Sequence, residues 1–122
     1  MARVTKSSLT RRLDRVCSEI VRSIGRCEKC GGVENLQCCH IFSRTYRSTR
    51  WDLDNLICLD AKCHRWAHNQ PTKFTDFVKA RLGSRYEILN EKFREISHFK
   101  IQDLQDKLNV LNSLPRAEFK QP

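Results

Sequence analysis

Six of the seven cysteines and three of the four histidines of this 122-residue chain fall between positions 27 and 68. Cys27-x2-Cys30 runs into Gly31-Gly32, a tight knuckle whose glycines relieve the backbone where two thiolates converge on one ion. A second pair, Cys58-x4-Cys63, can close a loop around the same ion. Zinc takes tetrahedral thiolate or imidazole ligands, so the spacing predicts a structural zinc held by Cys27, Cys30, Cys58 and Cys63. The competing reading makes Cys58 a buried strand residue and leaves three thiols at the metal. His64 and His68 are i and i+4, so on a helix both imidazoles point the same way, as two ligands of a second cation or as ordinary surface residues. Cys17 reads as a small core residue.

The charge favours a polyanionic partner. Lys and Arg number 23 against 14 Asp and Glu, a net charge of +9 with pI near 9.5. This balance excludes an acidic solvating protein. Positions 1–50 carry 11 of the basic and 4 of the acidic side chains, so the first half presents most of the positive surface. No apolar run nears the roughly 20 residues of a membrane span, and no membrane partner is expected. The N-terminus lacks a secretory h-region, and an odd cysteine count argues against a disulfide framework. Both point to a reducing, cytoplasmic compartment.

The elements that must position these residues follow from periodicity, and they make an α+β single domain over 1–122. Leu9, Leu13, Val16, Cys17, Ile20 and Ile24 recur at helical spacing, predicting a basic helix over 7–25. Ser7 or Ser8 starts it and Gly25 stops it, and Arg11, Arg15 and Arg22 lie on its solvent face beside Arg12. The core spans 27–70: strands over 35–41 and 55–59, a loop over 42–54 rich in arginine, and a short helix over 62–69. Helices fill 72–114. Thr72 caps the first and Gly83 closes it. Ser84 with Glu87 reads as a capping box for a second, running through Ile96 with Tyr86, Leu89 and Phe93 inward. Ile101, Leu104, Leu108 and Leu111 form a stripe that packs on the body or makes the seam of a homodimer. The tail from Arg116 reads as frayed.

The run Cys27-x2-Cys30-Gly31, Cys39-His40-Ile41, Asn55-Leu56, Cys63-His64-x3-His68 resembles the HNH endonucleases, also called ββα-metal or His-Me finger nucleases. The wording His40-Ile-Phe-Ser-Arg44 with Arg50-Trp-Asp-Leu-Asp-Asn55 is similar to phage recombination nucleases of the NinG/Rap type. The resemblance covers about residues 27–70. It implies a small zinc-stabilised ββα-metal core, a short hairpin plus helix, set among helical flanking segments. It implies metal-dependent hydrolysis of DNA to 5′-phosphate and 3′-hydroxyl ends, in a recombination or replication role. His40 would be the general base, Asn55 would brace the loop, and His64 and His68 would hold one divalent cation, Mg²⁺, Mn²⁺ or a transition metal. Arg44, Arg47 and Arg50 would contact phosphates of one backbone, joined by Arg11 and Arg15 of the first helix. Duplex, branched and single-stranded DNA all remain open as substrates.

Two positions depart from the family pattern. Members often place Asp or His before the general base as a further metal ligand, where this chain has Cys39, a thiol suited to Zn²⁺ rather than Mg²⁺. The first Cys of the second pair usually lies three residues before the last; Asp60 is there, and Cys58 must serve. Cys38 faces away from Cys39 and could substitute in either site. The alternative to a nuclease is a zinc-binding nucleic-acid module without catalysis.

Overall fold

The structure, a computed structural model, describes residues 3–116. The element order is α1 (Lys6–Arg22), β1 (Leu36–His40), α2 (Arg47–Arg50), β2 (Leu56–Asp60), α3 (Ala61–Asn69), α4 (Pro71–Leu82), α5 (Arg85–Lys92) and α6 (Ile101–Asn112). A single 3-10 turn, Leu53–Asn55, leads into β2. The fold is α+β, with six helices and one antiparallel strand pair among the described residues.

The two strands are the middle layer, and their pleat sorts the core. Successive residues point to opposite faces, so Leu56 and Cys58 turn toward α1 and α6, where Leu9, Leu13, Val16, Cys17, Ile20, Leu104, Leu108 and Leu111 pack. Cys39, Ile57 and Leu59 turn the other way, onto Cys63 and Ala67 of α3, Phe74 and Val78 of α4 and Leu89 of α5. Buried on both faces, β2 reads in sequence as an apolar run without alternation. The register pairs Leu36 with Asp60, Cys38 with Cys58 and His40 with Leu56. The hairpin therefore carries His40 at the end of one strand and Asp60 at the end of the other.

Local signals explain the boundaries and correct several expectations. Thr5, rather than Ser7 or Ser8, caps α1: its Oγ1 accepts from Ser8 N at 3.0 Å, while Ser8 Oγ accepts from Thr5 N. The expected loop contains α2 and the 3-10 turn. Pro71 opens α4 at its first position, where a missing N–H costs nothing, so Thr72 is not the cap. The Ser84–Glu87 capping box does not form, because Ser84 is itself helical; Gly83, at φ +59°, makes the break instead. α5 stops at Lys92, and Ile96 is exposed. On α6, Leu104, Leu108 and Leu111 are buried against α1 while Ile101 is exposed. The stripe is thus spent within the chain, not on a seam between copies. Positions 117–122 of the expected frayed tail lie outside the described residues. No helix among the described residues is long and apolar enough to cross a membrane.

Candidate functional site

Cys27, Cys30, Asp60 and Cys63 bring their ligand atoms within 4.8 Å of one another. Backbone geometry builds the first half of this site. Gly31 N donates to Cys27 O at 2.9 Å and Cys27 N to Gly32 O at 2.7 Å, which folds the knuckle back on itself. Gly31 sits at φ +79°, the left-handed region where a side chain would be strained. A Cβ on Gly32 would lie 3.0 Å from Asp60 Oδ2 and 3.4 Å from Cys30 Sγ, so only glycine lets the backbone approach the donors this closely.

The second half comes from the β2–α3 junction. Asp60 caps α3, its Oδ1 accepting from Cys63 N at 2.7 Å, and turns Oδ2 to Cys30 Sγ at 2.9 Å. Those hydrogen bonds hold its carboxyl down at about pKa 2. Burial pushes the Cys63 thiol up to about 12. Burial also acts to raise Cys27, but hydrogen bonds from the backbone around Cys30, Asp60 and Lys29 outweigh it, and the thiol lies below its usual value of 9. Three soft sulfurs and one carboxylate, two of the sulfurs buried, match the donor chemistry and ligand number of structural zinc.

This overturns one expected ligand. Cys58 is fully buried on the α1 side of the sheet, in line with Leu56, and its burial pushes the thiol up to about 11. Its side chain is taken up in the cluster with α1 and α6, whereas Asp60, two residues on, stands where the chain leaves the strand as the N-cap of α3 and turns its carboxylate to the knuckle. Asp60 takes the fourth position. Its signal was present in sequence as the residue three before Cys63, at a helix N-cap. Cys38 is likewise outside the metal set, packed beside Cys58.

A separate cleft of about 560 Å³ gathers His40, His64 and His68. Cys38, Cys39, Ser43 and Arg44 line it on the strand side, Ala67, Pro71, Phe74 and Thr75 on the helical side. His40 Nε2 lies 3.2 Å from the carbonyl oxygen of Arg50. A carbonyl only accepts, so in the neutral ring Nε2 carries the proton and Nδ1 keeps a lone pair. Burial is the main cause that lowers the His40 pKa from its usual 6.5, and the Arg44 and Arg50 charges add to it. His64 Nδ1 lies 2.6 Å from Gln37 Oε1, an acceptor, so Nδ1 carries the proton and the lone pair of Nε2 stays free. The His64 and His68 rings are 5.0 Å apart and tilted by 30°. Gln37, which fixes the His64 tautomer from the neighbouring strand, carries no sequence signal. Cys39 lies buried at the cleft wall, its thiol pushed up to about 12 by burial, and does not converge with the two histidines as a third ligand.

Asn55 is fully buried and ties down the loop between the strands. Its Oδ1 accepts from Phe42 N at 2.7 Å, and its Nδ2 donates to Phe42 O at 3.0 Å and Thr49 O at 3.1 Å. These bonds fix the backbone that starts just after His40 and, through Thr49, the segment whose Arg50 carbonyl holds His40. Asn55→Ala leaves the buried Thr49 carbonyl and the half-buried Phe42 N–H and carbonyl unpartnered, at about 1–3 kcal/mol each where water cannot reach them. A loss of about 3 kcal/mol is expected, and a denaturant midpoint equal to the parent's would refute it.

The loop arginines divide. Arg50 forks onto Asp14, Nε to Oδ1 at 3.0 Å and Nη2 to Oδ2 at 2.7 Å, with its side chain 14% exposed. Trp51 Nε1 donates to the same carboxylate at 2.9 Å. Burial opposes ionisation of Asp14, but these partners outweigh it and lower its pKa from 3.8. Arg50 therefore staples α2 to α1 and is not a free phosphate contact. Arg44 is 63% exposed at the cleft edge. Arg47 borders a different recess, with Trp51, Lys92 and Lys107. The three arginines thus do not line one backbone path. Arg11 and Arg15 are exposed on α1.

No protein-family model, curated protein or solved structure matches the chain.

Proposed function

We propose that the chain is a metal-dependent DNA endonuclease of the HNH, or ββα-metal, type. The observation that carries this reading is the cleft in which His40 presents a lone pair beside His64 and His68, each ring held in one orientation or neighbouring one that is. A binding module has no use for a half-buried histidine whose pKa is lowered and whose ring is fixed through a backbone carbonyl. General-base chemistry needs both properties.

In this mechanism a water in the cleft gives a proton to His40 Nδ1 as it attacks the scissile phosphorus. Asn55 keeps the His40 loop from shifting, so the lone pair stays aimed where the water must sit. Arg44 at the cleft edge neutralises phosphate charge. His64 Nε2 and His68 are the residues that would hold a divalent cation. Two neutral imidazoles suit Mn²⁺, Co²⁺, Ni²⁺ or Zn²⁺ better than Mg²⁺. When bound, such an ion supplies Lewis-acid stabilisation of the charge that builds on the leaving 3′ oxygen. The products are 5′-phosphate and 3′-hydroxyl ends. The Cys27, Cys30, Asp60 and Cys63 site holds structural zinc in this reading, which sets the first turn of α3 and thereby His64 and His68.

The experiment is incubation of zinc-loaded protein with supercoiled and branched DNA across Mg²⁺, Mn²⁺, Co²⁺, Ni²⁺ and Zn²⁺. Nicking is expected, strongest with a transition metal. A protein that binds DNA and never nicks with any of the five is the zinc-binding module instead.

A further inference from the structure

The cleft does not end at His40. A second hollow of about 340 Å³ shares Cys38, His40 and Arg44 with it and continues between β1 and α1, where Asp14, Ser18, Arg22, Leu36 and Gln37 form its walls. Through Ser18 and Arg22 this hollow opens onto one stripe of α1. Ser7, Arg11, Arg15, Ser18 and Arg22 fall at helical spacings of four, four, three and four, and therefore on one face.

Two features set this stripe apart from an ordinary solvated face. Its end arginines are held by a repeated device: Arg11 Nη1 donates to Ser7 Oγ at 2.9 Å, and Arg22 Nε to Ser18 Oγ at 3.0 Å, each a serine one turn earlier. The guanidinium groups are thus oriented by neutral partners that leave their charge uncompensated. Among the described residues, none of Arg11, Arg15 and Arg22 has a carboxylate within 4.0 Å. Two acids of α1 flank the stripe: Asp14 is already neutralised by the Arg50 fork, with Arg44 3.8 Å away, and Glu19, which shares a recess with Arg22, pairs with Arg116 at 3.6 Å.

We infer that this arginine stripe is a phosphate track continuous with the cleft, along which DNA leaves the reacting phosphate on one side, with Arg22 the contact nearest His40. From Arg11 to Arg22 the helix runs about 16 Å at about 1.5 Å per residue. That is the axial reach of about five nucleotides of a duplex strand at about 3.4 Å each. The opposite rim of the cleft, Pro71, Phe74 and Thr75, offers no cation. The footprint is therefore one-sided. The inference rests on the nuclease reading for the place of the reacting phosphate.

The test measures affinity against duplex length in the His40→Ala background, where DNA stays intact. Duplexes of about 4 and about 14 base pairs are compared with and without Arg11→Ala, Arg15→Ala and Arg22→Ala. The His40→Ala protein is expected to gain affinity with length, and the added substitutions to abolish most of that gain. On the long duplex they should also cut the salt slope by about one unit per arginine, about three in all. Arg94→Ala, remote from the stripe in sequence and exposed, serves as the control and should leave both readouts unchanged. An equal loss on short and long duplexes, or no loss on either, overturns the track. Nicking by the parent is scored separately. A parent that nicks while the triple substitution keeps its length dependence retains the nuclease and loses the track. A length dependence that vanishes as expected in a protein whose parent never nicks keeps the track and removes the nuclease.

Discussion

His40→Ala is expected to lower nicking of supercoiled DNA by about 10²-fold or more, the usual scale for a positioned general base. It should leave melting temperature, zinc content and DNA affinity close to the parent's. The side chain, half-exposed at the end of β1, makes one hydrogen bond, to the Arg50 carbonyl, and is not among the metal donors. The pH profile carries a second signature. Because the folded protein lowers the His40 pKa below 6.5, the neutral, proton-accepting ring persists to more acid pH than a free histidine. Cleavage by the parent should hold level through neutrality and fall only as pH drops below 6.5. Nicking that survives in His40→Ala, or an acid limb centred above pH 7, would remove His40 from the chemistry.

Loss of the metal centre should have the largest effect on stability. Structural zinc sites in small domains bind with apparent free energies of about 10–16 kcal/mol, against a total stability of about 5–15 kcal/mol for a domain. Chelation, or Cys27→Ser with Cys30→Ser, should therefore unfold the strands and α3, read as loss of cooperative melting and of bound zinc. Two further variants separate the ligand assignment. Cys58→Ala should keep its zinc and lose only packing. Asp60→Asn preserves a side-chain cap for α3 while weakening the ligand, and should surrender zinc to a chelator sooner than the parent. Zinc loss in Cys58→Ala together with retention in Asp60→Asn would reverse the assignment made from the geometry.

The elements were legible because their periods are strong and local. The Leu9 to Ile24 spacing marks α1, and the Cys27-Cys30-Gly knuckle marks half of the metal centre. His64 and His68 share one helix face because both lie within the nine-residue helix Ala61–Asn69. Asn55 is singled out through the family resemblance, and the structure supplies its backbone partners at Phe42 and Thr49. Failures occurred where tertiary contacts decide. Cys58 and Asp60 lie two apart on a strand, and only the packing of α1 and α6 around Cys58 and the turn into α3 at Asp60 show which of them reaches the knuckle. Arg50 reads in sequence like its exposed neighbours, but the half-buried Asp14, 36 residues earlier, claims it. Gln37 matters only because the register sets it beside His64. The N-caps of α1 and α4 moved by a residue or two, since several serines, threonines and a proline compete there and packing chooses among them.

The layer that backs the hairpin joins helices from opposite halves of the chain. α1 and α6 share one hydrophobic cluster with Leu56 and Cys58, yet their sequences are separated by the whole of the metal core and α4 and α5. On a ribosome, α1 emerges first and its partner after everything between. The Leu9, Leu13, Val16 and Ile20 face therefore stays uncovered for most of the chain's synthesis, a span in which exposed apolar surface invites aggregation or a chaperone. The knuckle, β2 and α3, by contrast, are close in sequence and can close around zinc early. Assembly is thus ordered in time, with metal capture ahead of the final docking of α6.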